Sequence, residues 1–380
     1  MRNRSLPAAA VAACALAGAV VPATAAPSDP ALDRLDRRLD ALVDRADGPP
    51  GAIAIVQRGS RVHVVSAGVR RVGSSAPPRA NDAMRTASVS KAFSGAAALA
   101  LVRQGRLALD DTIGERLPGL PAAWRAVTLR QLLQHTSGVP DFIATSEGQR
   151  AVAASPRRAP APERLLSFVE DEPLRFTPGT RYGYSNSDNI VVGLMVAAVT
   201  GRSYPAALRS TVLGPLGLAA TKLPRGVGLR RPFVSGYAPD PPGRPEDVTF
   251  DLAGGWAWAS GGVVSTPRNL NRFIRAYVRG SLTTPAARSS QRRFRTGAAS
   301  EPPGPGANAA GLALFRYRTR CGTVFGHTGN TFGYTQFAAA SPNGRRSVTV
   351  SVNSQISRRS PELLRVLRRA QAEAACAALS

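Results

Sequence analysis

The sequence predicts an α+β fold in which an antiparallel sheet, assembled from N- and C-terminal segments, is flanked by helices and interrupted by a mostly helical inserted subdomain. Strand-like runs occur near both ends of the chain, and the long stretch between them has the pattern of short helices and loops. No internal repeat is found, which excludes a repeat architecture.

The first predicted elements are a helix and a hairpin. Ser28-Asp29-Pro30 predicts a helix start, because a capping side chain precedes a proline in the first turn. Apolar residues then recur at helical spacing, namely Leu32, Leu35, Leu39, Leu42 and Val43. GAIAIVQRGSRVHVVSAG predicts two strands joined around Gly59, and KAFSGAAALALVRQ predicts a helix that ends near Gly105.

The middle and end of the chain predict helices followed by strands. Short helices are predicted within VTLRQLLQHTSG and NIVVGLMVAAVTG, the second ending at Gly201. The stretch from Arg288 to Gly311 is rich in Arg, Pro and Gly, which predicts irregular structure. Three strand-like runs follow, TVFGH, FGYTQFAAA and RSVTVSVN, and a final helix from Pro361 directs Leu363, Leu364 and Leu367 inward.

Length and composition predict a single large domain over residues 26–380, since 380 residues with 43% hydrophobic residues suffice for a substantial core. Its α/β part is predicted at about 26–105 and 311–380, and its mainly helical part at about 106–310. Residues 1–25 predict a signal peptide, because Arg2 and Arg4 precede an apolar run and Ala23-Thr24-Ala25 resembles a cleavage site. We therefore expect a secreted protein, cut after Ala25, without a transmembrane anchor. A lipoprotein signal at Cys14 is disfavoured, because the apolar run continues past it.

Cysteine and histidine usage predicts a disulfide and no metal site. Removal of the signal would leave Cys321 and Cys376, an even number in an exported chain, so we expect them to form a disulfide; two free buried thiols are the alternative. His63, His135 and His327 lie far apart without metal-ligand spacing, so neither a metal nor another cofactor is predicted.

The formal net charge of +25 favours affinity for polyanions. Nucleic acid is disfavoured, because the arginines are dispersed, aromatic residues make up only 6%, and no zinc-finger, RNA-recognition or helix-turn-helix signature occurs. Anionic cell-wall polymers or lipid headgroups are the partners that an exported protein would meet. A solvated arginine-rich surface without a specific partner is the alternative.

Lysine is rare in this basic chain. Of 49 basic side chains only Lys91 and Lys222 are lysines, so 47 (49 minus 2) are arginines. Arginine keeps its proton in proteins, whereas a buried lysine can become a neutral base. A lysine at position 91 therefore favours a chemical role over a surface charge.

Ser88 stands three residues before Lys91 in TASVSK. Positions i and i+3 share a helix face, so a neutral Lys91 could take the proton that a serine nucleophile must lose. The N-terminus of the following helix would favour an oxyanion beside Ser88. The alternative is a surface lysine after a capping serine.

Two further stretches carry groups suited to a binding cleft. In YSN, Tyr184 could relay protons, and the Asn186 amide could hold a substrate amide and orient Lys91. In the strand-like FGHTGNTFGY, Gly329 lets a substrate backbone approach for edge-strand pairing. The alternatives are an ordinary helix-entry loop and a structural histidine.

SVSK, YSN and HTG, in this order, resemble the three active-site motifs of the penicillin-recognising serine hydrolases. They are most similar to those of secreted serine D-alanyl-D-alanine carboxypeptidases and their class C β-lactamase relatives. The flanking segments GRLALDDTIGERLP, LLQHTSGVPDF, FTPGTRYGYSN and ASGGVVSTPRNLNRF also resemble this family. The resemblance implies a β-lactamase/transpeptidase-like fold.

The resemblance also implies catalytic roles. Ser88 would be the acylated nucleophile and Lys91 its base partner, with Tyr184 sharing the proton transfers. Asn186 would hold the substrate amide. The backbone N–H groups of Ser88 and Asn330 would form the oxyanion hole.

Substrate binding is implied for the third motif. His327 and Thr328 would line the far wall of the cleft, with the Thr328 hydroxyl near the substrate carboxylate. Class C β-lactamases typically carry lysine in place of the histidine, so HTG favours a peptidase. The related carboxypeptidases bind the carboxylate with an arginine on the preceding strand, and LFRYRTRCG offers Arg316, Arg318 and Arg320 on one face. Asn330 stands where the family often has a small hydroxyl residue, which leaves the fine substrate preference open.

The predicted function is that of a secreted serine D-Ala-D-Ala carboxypeptidase, which acts on peptidoglycan stem peptides through a Ser88 acyl-enzyme and is acylated by β-lactams. A class C-like β-lactamase and an S-x-x-K esterase are enzymatic alternatives, and a non-catalytic module that binds cell-wall peptides is an alternative of another class. A conventional α/β-hydrolase is disfavoured, because no G-x-S-x-G occurs.

Overall fold

The computed structural model describes residues 29–238 and 245–380, and the predicted signal peptide lies outside this part of the chain. The helices found in these ranges are α1 Pro30–Val43, α2 Ser90–Arg103, α3 Ile113–Arg116, α4 Leu129–Gln134, α5 Ser146–Ala154, α6 Pro162–Leu166, α7 Asn186–Thr200, α8 Tyr204–Leu208, α9 Trp258–Gly261, α10 Pro267–Arg279, α11 Pro285–Gln291 and α12 Pro361–Leu379. The strands are β1 Gly51–Arg58, β2 Arg61–Gly68, β3 Met84–Arg85, β4 Val264–Ser265, β5 Arg295–Thr296, β6 Ala307–Ala310, β7 Phe315–Thr319, β8 Gly322–Thr331, β9 Tyr334–Ala340 and β10 Arg346–Val352.

Eight strands form one antiparallel sheet in the order β2-β1-β10-β9-β8-β7-β6-β5. β1 pairs with β10, with Ala52 opposite Val352, so the first and last strands along the chain lie side by side. The predicted α+β fold, with a sheet built from both ends of the chain, is therefore confirmed.

Helices cover both faces of the sheet. On one face, α1 and α12 bury a cluster that includes Leu35 and Leu39 of α1. Asp29 begins α1 by accepting the backbone N–H groups of Ala31 and Leu32, as the sequence predicts for a capping residue. On the other face, α2 and α10 pack against the sheet and join a larger core that extends into the helical part.

The helical part places the second motif beside the first. The helix α4 has a capping box between Thr128 and Gln131, and α7 ends at Gly201 with φ +64°, both where the sequence predicts them. α7 is buried along most of its length and packs against α2. Because Lys91 lies in the first turn of α2 and Asn186 begins α7, this packing brings their side chains together.

The stretch predicted as irregular is more regular than expected. It contains the end of α11 and two short strands, β5 and β6, which extend the sheet beyond the predicted strands. The register sets Ala307 opposite Arg318 and Ala310 opposite Phe315, so the neighbouring strand β7 supplies the pairing that local sequence does not signal. In the described ranges no single helix is long and apolar enough to cross a membrane, although one bent pair, Asn186–Thr200 with Tyr204–Leu213, meets the length and composition together.

Cys321, in the turn between β7 and β8, and Cys376, within α12, form a disulfide with a Cα–Cα distance of 5.1 Å. The bond closes a loop of 55 residues. Replacing both cysteines by serine is expected to lower the free energy of unfolding by about 4 kcal/mol, because the unfolded chain regains the entropy of that loop. Urea unfolding measures this change. A reductant should destabilise the wild type and leave the double variant unaffected, and a loss below about 1 kcal/mol would contradict the expectation.

Candidate active site

Ser88 lies in a single 3₁₀ turn, Ala87–Val89, that leads directly into α2. Ala87 adopts φ +49°, a left-handed conformation that costs energy for any residue except glycine. The strand β8 passes so close that a Cβ on Gly329 would lie 2.5 Å from the carbonyl oxygen of Thr86 and 3.0 Å from the Ser88 nitrogen. The glycine was predicted to admit a substrate backbone; in the structure it admits the backbone of the turn that carries Ser88.

Lys91 is fully buried, and its Nζ contacts three oxygen atoms. The distances are 3.2 Å to Ser88 Oγ, 2.7 Å to Asn186 Oδ1 and 2.9 Å to the backbone carbonyl of Ser260. The structure thus brings together the predicted Ser88, Lys91 and Asn186. It adds Ser260, which sequence reasoning missed because a backbone carbonyl has no residue-type signal.

Three oxygen atoms around Nζ accommodate both protonation states of Lys91: a protonated amine would donate to all three, and a neutral amine would donate to two. The Asn186 and Ser260 oxygens can only accept hydrogen bonds, so they take the two hydrogens of a neutral Lys91. The remaining lone pair is then directed at the hydroxyl of Ser88. The geometry is therefore that of a base held ready for the serine proton.

Burial lowers the pKa of Lys91 to about 7, while the nearby Asp141 and Asp188 oppose this shift. Neutral Lys91 is thus abundant near neutral pH. A base whose pKa lies near the working pH combines the correct protonation state with useful proton affinity.

The rate at which Ser88 is acylated is expected to rise with pH through about 7 and to level off above it. Below that pH Lys91 carries a proton and cannot accept another, so the rate should fall about tenfold per pH unit. The burst of p-nitrophenol released from p-nitrophenyl acetate measures this rate between about pH 5 and 9. A burst rate constant that does not change over this range would contradict the assignment of Lys91.

Tyr184 lies beside this pair as a neutral phenol. Its ring is 4.8 Å from Lys91 Nζ, and burial raises the pKa of its hydroxyl far above the usual value. The hydroxyl has no hydrogen-bond partner among the described residues, although the Ser88 side chain lies close enough to moderate its pKa. Tyr184 can therefore donate or relay a proton, and Lys91 is the better base.

A second polar cluster, formed by His135, Asp188 and Ser137, packs against the ring of Tyr184. The ring of His135 packs against that of Tyr184 at 4.5 Å, and His135 Nδ1 lies 2.8 Å from Asp188, whose other oxygen accepts the Ser137 hydroxyl at 2.5 Å. Burial lowers the pKa of His135 to about 3 and raises the pKa of Asp188 well above its usual range. His135 and Ser137 belong to the segment LLQHTSGVPDF, a signal noted in the sequence without a role.

Asn330 lines the same cleft as Ser88, so the structure brings both residues of the predicted oxyanion hole to one place. The polar atoms of the Asn330 side chain are bonded within the protein: its Nδ2 donates to the Ile356 carbonyl and its Oδ1 accepts from Gln355 at 2.7 Å. The residue that departs from the family pattern thus ties the end of β8 to a neighbouring loop.

His327 and Thr328 lie beneath the surface of the cleft that they were predicted to line. Both are fully buried and neither lines the cleft beside Ser88. The Thr328 hydroxyl donates to the Pro302 carbonyl at 2.6 Å, so it is occupied within the protein rather than free for a substrate carboxylate. The segment that covers it is held by Tyr182, whose hydroxyl donates to the Ala299 carbonyl at 2.6 Å.

His327 is neutral, because burial lowers its pKa to about 3. Its Nδ1 lies 2.5 Å from the carbonyl of Thr328, which places the proton on Nδ1 and leaves Nε2 as an acceptor. Within the part of the chain that the structure describes, Nε2 has no hydrogen-bond partner.

The arginines predicted to bind a carboxylate lie elsewhere. Arg316 stacks over the ring of Phe294 at 5.0 Å, and Arg318 is exposed. Arg320 follows β7 and pairs with Glu373 of α12 at 2.5 Å. No charged side chain of the described residues lines the cleft beside Ser88, so the expected arginine clamp is not found there.

The cleft itself has a volume of about 330 Å³ and a mostly apolar wall. The large apolar side chains that line it are Phe142, Ile143, Val152, Leu252, Trp256 and Phe332. The neutral polar residues Asn186, Asn330 and Gln355 also line it, and the side chains of the last two are bonded to each other. Such a lining suits an uncharged ligand with an apolar side chain.

Residues 35–373 match the family model described as Beta-lactamase. The chain belongs to the beta-lactamase family. Within it, Ser88 and Lys91 form the arrangement that an activated serine nucleophile requires, a hydroxyl beside a candidate base.

The chain is similar in sequence to two known proteins and in structure to a third. Penicillin-binding protein 4 of Amycolatopsis lactamdurans is 27% identical over 248 residues, which cover 63% of this chain and 62% of that protein. A D-aminopeptidase of Cereibacter sphaeroides is 29% identical over 54% of this chain and 39% of its own length. This chain thus matches less than two thirds of either relative. The solved structure of a D-stereospecific amidohydrolase from Streptomyces sp. is 27% identical, with a TM-score of 0.77, over 89% of this chain and 98% of that one.

Proposed function

We propose that the protein is a D-stereospecific serine amidohydrolase that works through an acyl-enzyme on Ser88. The observation that carries the proposal is the position of Lys91 Nζ, 3.2 Å from the Ser88 hydroxyl, with its other two contacts made to pure acceptors. Preference for D-configured substrates is supported by the similarity to the Streptomyces amidohydrolase and to the D-aminopeptidase.

The proposed reaction has two steps. Ser88 Oγ attacks the substrate carbonyl carbon while Lys91 takes the hydroxyl proton, and the oxyanion forms near the backbone N–H groups of Ser88 and Asn330. The C–N bond then breaks, and the leaving amine receives a proton from Lys91, directly or through Tyr184. In the second step water attacks the ester carbon while Lys91 takes a proton from it, the bond from the carbon to Ser88 Oγ breaks, Oγ receives that proton, and the acid product leaves.

The neutral cleft supports an amidohydrolase whose leaving amine carries no carboxylate. Binding a substrate carboxylate in a poorly hydrated cleft requires a charged or strongly donating partner. The Thr328 hydroxyl is already bonded to Pro302, and Arg316 and Arg318 do not line the cleft.

A D-Ala-D-Ala carboxypeptidase is the second candidate. It is supported by the similarity to penicillin-binding protein 4 and by the HTG sequence at His327. This activity would require the segment at Pro302 to move, so that Thr328 is freed to meet the substrate carboxylate.

A panel of substrates tests the proposal. The amides of D- and L-phenylalanine and a peptide ending in D-Ala-D-Ala are each incubated with the protein, and released ammonia or D-alanine is measured. We expect hydrolysis of the D-amide in preference to the L-amide and to the peptide. Release of D-alanine as the faster reaction would favour the carboxypeptidase, and equal rates for both amides would contradict stereospecificity. Intact mass after mixing with benzylpenicillin shows whether a β-lactam also acylates Ser88.

The apolar wall is expected to select large side chains. Replacing Leu252 by alanine should lower kcat/KM for D-phenylalanine amide by roughly 10-fold, because the ligand loses apolar contact, and should change the value for D-alanine amide by less than about twofold. Val62→Ala is a matched control, since Val62 is an exposed apolar residue of β2 outside the cleft. Equal losses for both amides with Leu252→Ala would contradict the assignment of this wall.

We further propose that the protein acts outside the cytoplasm. The predicted signal peptide and the disulfide between Cys321 and Cys376, a bond typical of oxidising compartments, support this location.

A further inference from the structure

The segment 140–142, which leads into the 3₁₀ turn Phe142–Ala144 on the cleft wall, is hydrogen-bonded to the start of α7. Residues 140–142 run beside residues 185–187, and consecutive residues of the two segments are joined by hydrogen bonds. These bonds are from Ser185 Oγ to the Pro140 carbonyl at 3.3 Å, from Asn186 Nδ2 to Asp141 Oδ2 at 2.9 Å, and from the Phe142 N–H to Ser187 Oγ at 3.0 Å. Only the middle bond involves a side chain that contacts Lys91.

The middle bond determines how the Asn186 amide is turned. The oxygen and nitrogen of an amide side chain are similar in size, so its orientation is fixed by its partners. Ionised Asp141 only accepts hydrogen bonds, and it therefore holds the NH₂ group of Asn186. The Asn186 oxygen is left facing Lys91 Nζ at 2.7 Å.

Asp141 is itself held in place from two sides. Its Oδ1 accepts the backbone N–H of Ile143 at 3.3 Å, which begins the 3₁₀ turn Phe142–Ala144 on the cleft wall. Asp141 is partly buried, and this burial raises the pKa of its carboxyl group, while Asn186 and Lys91 favour the ionised form. Removing a carboxylate from water costs free energy unless the carboxylate is paired. The position of Asp141 near the buried Lys91 therefore suggests that it has a function there.

We propose that Asp141 is a positioning residue for the Ser88 reaction: it fixes the orientation of the Asn186 amide, and through that amide it directs the lone pair of Lys91 at Ser88. The inference rests on the acyl-enzyme function proposed above. Asp141 does not touch the substrate in this arrangement. It acts by keeping the Asn186 oxygen, rather than the Asn186 NH₂ group, in contact with the amine of Lys91.

The negative charge of Asp141 also bears on the pH dependence. The titratable groups that face Lys91 are Asp141 from the 140–142 segment, Tyr184 and Asp188 at the start of α7, His135 after α4, and His327 on β8. Asp141 and Asp188 favour the protonated amine, while the two histidines are neutral. Removing the charge of Asp141 should therefore move the acid limb of the acylation rate to lower pH.

Two substitutions separate orientation from charge. Asp141→Ala removes both the acceptor and the charge, and we expect the burst rate constant with p-nitrophenyl acetate to fall on the order of 10- to 100-fold, as misplacement of reacting groups predicts. Asp141→Asn keeps one acceptor oxygen, which can serve Asn186, and removes the charge together with the acceptor for the Ile143 N–H. Its burst rate constant on the alkaline plateau should stay within about threefold of wild type, with the acid limb moved to lower pH.

Ser187→Ala is the matched control, because it removes the neighbouring buried hydrogen bond to Phe142 without touching Asn186 or Lys91. Thermal unfolding of each variant shows that it is folded. A burst rate constant for Asp141→Ala within threefold of wild type, an equal loss in folded Ser187→Ala, or an unmoved acid limb in Asp141→Asn would overturn the inference while leaving the acyl-enzyme function intact. A wild type without any burst would overturn both.

Discussion

Replacing Ser88 by alanine is expected to abolish covalent acylation and to reduce amide hydrolysis by about 10⁶-fold, the scale of loss when a serine hydrolase loses its nucleophile. The reason is that no other hydroxyl of the cleft has a base in place: the structure holds Lys91 Nζ 3.2 Å from Ser88 Oγ. Intact mass after mixing with p-nitrophenyl acetate or benzylpenicillin measures acylation, and ammonia release measures hydrolysis.

The matched control for this change is Ser90→Ala, two residues further along the chain. Ser90 is fully buried and bonds to Thr86 and to the Val263 N–H, so it tests general damage to the start of α2. Folded Ser90→Ala should still be acylated. An adduct of unchanged mass and rate in Ser88→Ala would remove Ser88 from the mechanism.

Replacing Lys91 by methionine is expected to lower the acylation rate by about 10²- to 10⁴-fold, the range typical of a lost general base. Methionine has a similar length and suits a fully buried position, so the fold should tolerate it better than a shorter side chain. The residual rate should also lose its rise through pH 7, because the group whose pKa is about 7 is gone. Burst kinetics with p-nitrophenyl acetate across pH measure both effects.

The chain supplies its own control in Lys222, the other lysine, which is exposed. Lys222→Met makes the same substitution outside the cleft and should leave the burst unchanged. Lys91→Arg retains a positive charge but cannot act as a base, so it should be as slow as Lys91→Met. A pH profile that still rises through 7 in Lys91→Met would assign the titration to another group.

Local spacing was enough to pair Ser88 with Lys91, whereas Asn186 was grouped with them through the resemblance of the three motifs to the family. The i, i+3 spacing determines how Ser88 and Lys91 face each other, and the helix that follows YSN is apolar enough to predict burial against its neighbours. The pKa of Lys91 could not be predicted from the sequence, because it depends on how completely the packing around α2 and α7 excludes water.

Asp141 and Ser260 were missed for two different reasons. Asp141 acts through the docking of one loop against the start of α7, a contact between positions 45 residues apart that no local pattern reports. Ser260 contributes a backbone carbonyl, which any residue type could present.

The arguments for a carboxylate site rested on β7 and β8 alone, and in this structure Thr328, Arg316 and Arg318 do not line the cleft. Alternation along β7 correctly separates Arg316 and Arg318 from Tyr317, but it cannot say which face meets the cleft. The covering segment at Pro302 comes from a Pro- and Gly-rich stretch without periodicity, so its bond to Thr328 could not be predicted.

The pairing of β1 with β10 has a consequence for how the chain reaches its native state. Position 52 lies opposite position 352, so the centre of the sheet closes only when segments 300 residues apart meet (352 minus 52). Contacts of this sequence separation are slow to form, and the first hairpin must wait for them with one edge unpaired. During synthesis the N-terminal strands therefore emerge long before their partner. Completion of the fold depends on the last strand and helix, and a protein truncated before β10 would expose the edge of β1 to association with other chains.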